Sequence, residues 1–253
     1  MKLAPLRVYF NRMSSESHLE FYRRWNRLAR PYIEWQFDQF KPFIGRRVAD
    51  LGCGLGNFTP FLLDRDLYLG IDTDEELLGE LRKEHSNDSN VKTLSLDLTS
   101  PALEKELQKE SIDTILCVNV IEHIEQDVLA IKNMIQSLPK DGCLCLLVPA
   151  CPFLFGTLDL LDGHYRRYTR STVQNVFANQ PGYLEKLYYF NLAGVPGWWI
   201  KGRLLKQKTQ TNDNYRIMNA LIPIMRPVES WLHPPIGMSL IAVFRKTKNA
   251  FNS

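Results

Sequence analysis

Residues 48–58 read Val-Ala-Asp-Leu-Gly-Cys-Gly-Leu-Gly-Asn-Phe, an apolar strand that runs into three alternate glycines. No other stretch restricts the fold as strongly. Without a Cβ at Gly52 and Gly54 the backbone can turn tightly and a ligand can lie directly against it before the next helix begins. A second apolar strand ends at Asp72, twenty residues after Gly52. An acid in that position can accept hydrogen bonds from both hydroxyls of a ribose. Asp50 stands two residues before the first glycine, and the third glycine of a dinucleotide fingerprint would fall at 57, which is Asn57. The spacing therefore points to a nucleoside and away from a dinucleotide.

Further along, Asp97 follows a third strand and Asn119-Val-Ile-Glu-His-Ile follows a fourth. In order and spacing these segments resemble the cofactor motifs of the class I S-adenosylmethionine-dependent methyltransferases, over about residues 45–190. The resemblance implies an α/β fold with a Rossmann-like, doubly wound, seven-stranded sheet, mostly parallel with an antiparallel last strand. It implies S-adenosylmethionine as cofactor and S-adenosylhomocysteine as its product. Asp50 would orient the turn and approach the amino group of the methionine moiety. Gly52, Cys53 and Gly54 would admit the ligand, Asp72 and Thr73 would take the ribose end, and Asp97 and Leu98 would hold the adenine. Asn119 and Val120 would line the methionine side.

A chain of 253 residues with this hydrophobic share is one large domain or one domain with a cap. The formal net charge is +3 and no block of like charges occurs, so nucleic-acid binding has no compositional support. The start lacks a signal-peptide core and no stretch reaches the length of a membrane-spanning helix, so a cytoplasmic protein is expected. Cys53, Cys117, Cys143, Cys145 and Cys151 are odd in number and form no CxxC pair. They predict reduced core residues, without a disulfide framework or a metal site.

Five apolar runs near 47–51, 67–71, 91–96, 112–118 and 142–149 alternate with helical patterns, the signature of a parallel sheet with crossover helices. Thr73 with Glu76 predicts a capping box for the second crossover helix, and Ser100-Pro101 predicts the start of the third. Ile124, Val128, Ile131, Ile135 and Leu138 predict one buried face on the next. A short helix is expected near 171–179, and Tyr183–Phe190 with Met238–Arg245 form a terminal hairpin. The expected plan is a single domain over 1–253. Within it, a helical lid spans 1–44, the cofactor-binding core 45–190, an inserted cap 191–235, and the last strand and tail 236–253. The insertion is too long for a structureless loop.

Methyl transfer from a sulfonium needs alignment, exclusion of water and, for a hydroxyl acceptor, a base. His123 follows the fourth strand and His164 lies in Asp159-Leu-Leu-Asp162-Gly-His-Tyr-Arg-Arg-Tyr-Thr beyond the fifth. Either histidine is a candidate base for an oxygen acceptor. Asp159, Tyr165, Arg166 and Arg167 are candidate substrate contacts, with the arginines suited to a phosphate or carboxylate. An ion cluster that merely fixes the loop is an equal reading. The segment resembles one found in a bacterial group of class I methyltransferases, which implies a small-molecule, saccharide or lipid-linked acceptor.

Within the cap, Val195-Pro-Gly-Trp-Trp-Ile-Lys-Gly-Arg-Leu-Leu-Lys sets tryptophans and aliphatics among cations. Two readings stand: peripheral contact with the inner face of a membrane through 195–231, or packing of Trp198, Trp199, Leu204 and Leu205 onto the sheet or as a wall of the substrate pocket. Pro223 and Pro227 predict two short helices or one kinked helix. Two rival functions also stand, an NAD-binding oxidoreductase and a non-enzymatic module that binds the cofactor and uses its cap to engage a partner. Oligomeric state is not legible.

Overall fold

A computed structural model describes residues 17–207, 212–232 and 234–247. The outer parts of the expected lid and tail, and part of the cap, lie outside those residues. Seven strands form one sheet in the order β3-β2-β1-β4-β5-β7-β6. They are β1 (Arg47–Leu51), β2 (Leu67–Asp72), β3 (Val91–Ser95), β4 (Thr114–Val118), β5 (Cys143–Pro149), β6 (Gly182–Phe190) and β7 (Ser239–Lys246). Strands β1 to β5 pair in parallel, and β7 runs antiparallel to both β5 and β6. The fold is therefore the Rossmann-like arrangement expected from the sequence. Strand order reverses at β1, which lies between β2 and β4, so the crevice beyond the end of β1 is where such a sheet receives a ligand.

The central strands are apolar on both faces because helices cover both. On one face, Ala49, Ile71, Ile115, Leu144 and Leu146 pack with α4 (Ala102–Lys109), α5 (Asp127–Ser137) and α7 (Arg170–Val176). On the other, Val48, Tyr68, Leu116, Cys145 and Val243 pack with α2 (Arg30–Phe40), α3 (Glu75–Glu84) and α9 (Asn212–Leu232). All five cysteines are buried and free.

Two details differ from the sequence expectations. The cap of α3 is Asp74, whose carboxylate accepts from Glu76 N at 3.0 Å and Leu77 N at 3.4 Å; Thr73 is exposed one residue earlier. On α5 the buried face is carried by Ala130, Ile131, Met134 and Ile135, while Val128 is 51% exposed. The helix begins only at Asp127, so Val128 lies in its first turn and points away from the sheet.

The lid consists of α1 (His18–Leu28) and α2, and α1 opens on a capping box formed by Ser17 and Glu20. The inserted cap holds α8 (Gly194–Trp199), a π-helical turn (Ile200–Leu204) and the long α9, which continues through both prolines. Lid and cap are tied together. Asn219 Nδ2 donates to Leu28 O at 2.8 Å, and Arg226 pairs with Asp38. Glu229 accepts from the backbone N–H groups of Asn191 and Leu192, fixing α9 to the end of β6.

Candidate active site

The glycine turn is held by β2. Gly52 N and Cys53 N both donate to Ile71 O, and Gly54 N donates to Asp72 Oδ2 at 2.9 Å. Gly52, Gly54 and Gly56 all have positive φ, which a side chain would strain. A Cβ at Gly52 would also stand 2.4 Å from Val120, so the segment after β4 presses directly on this turn. Tyr22, from the lid, lies over Gly54.

In front of the turn is a cavity of about 260 Å³ whose lining includes Asp50, Gly52, Cys53, Asn119, His123 and His164. The lid adds Tyr22, Trp25 and Gln36, the loop beyond β5 adds Asp162 and Arg167, and the cap adds Trp198. Several lining residues carry buried polar atoms with no hydrogen-bond partner among the described residues: Gln36 Nε2, Asn57 Oδ1, both oxygens of Glu122 and Nδ1 of His123. Folded proteins rarely leave such atoms unsatisfied, so the lining fits a polar ligand with donors and acceptors of its own.

Asp50 is 3% exposed and accepts from Tyr68 Oη at 2.9 Å. Burial pushes its carboxyl up to about 7 against the lowering effect of that hydroxyl. Asp72 is raised as well, by burial, although Asp74 N and Gly54 N bind its two oxygens. Asn119 follows β4 in a left-handed conformation, φ 56°, with its N–H bound to Leu147 O.

The loop beyond β5 folds as α6 (Thr157–Asp162), with Asp159 wholly buried. Its Oδ1 receives His164 Nδ1 at 3.0 Å and Arg167 Nε at 2.6 Å; its Oδ2 receives Gly156 N and Trp198 Nε1. Burial would raise the Asp159 carboxyl, but His164 and Arg167 outweigh it and hold it below its ordinary value. Burial alone would lower His164; its bond to Asp159 and the nearby Glu122 and Asp162 raise it instead. The His123 ring meets His164 edge to face, centroids 4.7 Å apart, and burial drives its imidazole down to about 3. Glu122 is pushed up to about 7 and Asp162 to about 6, both by burial.

Not every residue singled out from the sequence reaches the cavity. Arg166 donates to Ile124 O and Glu125 O and pairs with Asp127, which ties it to the segment before α5. Tyr165 is 46% exposed. Asp97 is exposed and binds the Thr99 N–H and hydroxyl, Leu98 is buried with its carbonyl bound to Asn133, and Thr73 is exposed. Arg167 does line the cavity, but its Nε and Nη1 are bound to Asp159 and Ala150 O.

The structure adds Tyr22, Gln36 and Glu122 to the site and sets Trp198 in its wall, one of the places expected for that residue. Glu122 stands beside His123 in the sequence, whereas Tyr22 and Gln36 arrive from the lid, whose contact with the core no local pattern announces. Ligand atoms of Glu122, His123 and His164 lie within 4.8 Å of one another, a set that could hold a cation.

Residues 49–144 match the family described as a methyltransferase domain. Residues 49–144 thus carry a methyltransferase domain, set in the fold of S-adenosylmethionine-dependent methyltransferases. S-adenosylmethionine is the cofactor of such a domain. The methyltransferase from Anabaena variabilis shares the fold at a TM-score of 0.62 and 14% identity, over 97% of this chain and 96% of that one. The mouse small RNA 2'-O-methyltransferase is 26% identical over 176 residues, which cover 62% of this chain and 42% of the relative. Trans-aconitate 2-methyltransferase from Afipia carboxidovorans is 24% identical over 139 residues, 54% of this chain and 50% of the relative. The chain thus spans about half the length or less of these two methyltransferases. Of the cofactor motifs, Asp50, Gly52, Cys53 and Asn119 line one cavity together with His123, His164 and Arg167, while Gly54, Asp72 and Val120 lie outside its lining.

Proposed function

We propose that the protein transfers a methyl group from S-adenosylmethionine to an oxygen of a small or lipid-linked acceptor, with His164 as the base. The observation that carries this reading is the buried Asp159–His164 pair, whose His164 lines the same cavity as Asp50, Gly52, Cys53 and Asn119. When bound, the cofactor supplies a methyl group on a sulfonium sulfur, already an activated leaving group. Asp50, Asp72 and the turn at Gly52–Gly54 hold and orient the donor. Because Nδ1 of His164 faces Asp159, its Nε2 is left to take the proton of an acceptor hydroxyl, and the Asp159 carboxylate stabilises the imidazolium that forms. His123 is neutral at physiological pH and serves as a wall and hydrogen-bond partner. Lid and cap exclude water, which would compete as acceptor.

A second reading is favoured by Glu122, whose carboxylate oxygens are buried with no hydrogen-bond partner among the described residues. A divalent cation held by Glu122, His123 and His164 would bind the acceptor oxygen and lower its pKa, replacing the base. The test for both is transfer of isotopically labelled methyl to fractionated aqueous and lipid cell extract, with the position of the label read by NMR. The base reading expects label on oxygen, lost in His164→Gln although that variant still binds S-adenosylhomocysteine, and unaffected by chelator. Loss on chelation with recovery on adding a divalent cation selects the second reading. Label on nitrogen or carbon contradicts both.

A further inference from the structure

Helix α9 has two apolar stripes. Tyr215, Met218, Ile222 and Met225 face inward and pack with the core. Ile217, Leu221, Ile224, Val228 and Trp231 recur at steps of four, three, four and three and are between 37% and 81% exposed. A helix on the surface of a globular protein ordinarily shows charge along its outer face. Here that face is apolar for most of its length, too much for scattered exposed residues.

Two further observations bear on what this face meets. The preceding segment, 194–207, carries Lys201, Arg203 and Lys206 and no acid, with Trp199, Leu204 and Leu205 exposed among them. Cations beside exposed tryptophan and leucine match the headgroup and acyl layers of an anionic bilayer. Below the face lies a second cavity of about 210 Å³, walled by Trp35, Ile222 and Met225. Ile217, Leu221 and Lys201 line it too, so it opens at the exposed stripe; Trp25, Tyr32, Trp198 and Met238 line both it and the cofactor cavity. A protein partner on this face would cover that mouth, whereas a bilayer can feed it. Among the described residues no helix is long and apolar enough to cross a membrane, so the contact is one of lying on the surface.

We propose that the outer face of α9 docks on an anionic bilayer and that the cavity beneath it takes the apolar tail of a single-chain lipid acceptor, leaving the head in the cavity with His164. The role of that head rests on the function proposed above. Docking and tail uptake are tested without it.

The full chain is sedimented with phosphatidylcholine vesicles with and without phosphatidylglycerol, and affinity for S-adenosylhomocysteine is measured in parallel. Binding to the anionic vesicles is expected, reduced about tenfold or more in Ile224→Glu and Trp231→Glu, with cofactor-product affinity unchanged because neither side chain touches that site. Tail uptake is read as quenching of tryptophan fluorescence by a monomeric lysophospholipid brominated on its acyl chain. Quenching should persist in a Trp199→Phe/Trp231→Phe variant, through Trp25 and Trp35, and fall in Met225→Phe. The proposal is overturned if the chain stays in the supernatant, if the charged variants sediment equally, if quenching vanishes with the two exposed tryptophans, or if the face proves to join two copies that Trp231→Glu separates. Failure to bind S-adenosylhomocysteine in the same experiment would sink the catalytic reading and leave this one standing.

Discussion

His164 and Asp159 lie 3.0 Å apart, Nδ1 to Oδ1, and the same carboxylate oxygen also receives Arg167. The pair therefore does two things at once: it fixes the imidazole tautomer and neutralises a guanidinium that is almost fully buried. Removing the carboxylate leaves that charge uncompensated. Asp159→Ala should cost about 3–5 kcal/mol in urea unfolding, the usual penalty for breaking a buried pair. His164→Gln, which keeps Arg167 paired, should cost much less while lowering turnover by about a hundredfold or more. Equal stability losses in the two variants would show that the cluster is not organised around Arg167.

Asp50 gives a pH dependence of ligand binding. In the free protein its carboxyl titrates near 7, and the form proposed to bind the cofactor amino group is the ionised one. Folded Asp50 is raised, so it is protonated below that pH and must release a proton for binding. Affinity for S-adenosylhomocysteine should be flat above about pH 7.5 and fall up to about tenfold per unit beneath 7. Calorimetry in buffers of different ionisation heat would detect the released proton. Asp50→Asn should bind weakly with no such slope, and a wild-type slope of zero contradicts the assignment.

Gly52→Ala combines a positive φ with a Cβ that would stand 2.4 Å from Val120. Destabilisation by more than about 1 kcal/mol is expected, with partial recovery in Gly52→Ala/Val120→Ala because the clash is relieved and the backbone strain is not. Thermal unfolding of the three variants checks this. No recovery would mean that strain alone sets the cost.

The α5 face supplies a paired control. Ile131→Asp places a charge in the core and should prevent folding or nearly so, whereas Val128→Asp, at 51% exposure, should stay within about 0.5 kcal/mol of the parent. Circular dichroism and urea titration distinguish the two, and a severe effect of the second substitution would show Val128 to be buried.

That control also marks where the sequence was readable. The strands and the glycine turn follow from local apolar runs and from residues without a Cβ, so they could be placed by pattern; the antiparallel direction of β7 within the sheet is what the resemblance implies. The pattern misplaces Val128 because the apolar period continues from Ile124, which lies upstream of the helix start at Asp127. Thr73 has the capping spacing, yet Asp74 takes the cap, since a neighbouring acid competes for the same N–H groups. Trp198 and Tyr22 reach the site only because α8 and α1 fold back over it, contacts separated by long stretches of chain. Arg166 looked like an anion fork, but the backbone carbonyls before α5 hold it, and a sequence does not display carbonyl positions.

The central claim is that the turn at Gly52–Gly54, flanked by Asp50 and Asp72, receives an adenosyl sulfonium, and titration calorimetry of the folded protein with S-adenosylhomocysteine and with NAD tests it most directly. One site per chain for the first ligand, none for the second, and loss of the first in Asp72→Ala with the fold intact is the result predicted. Absence of heat with S-adenosylhomocysteine, or an equal response to NAD, would contradict it.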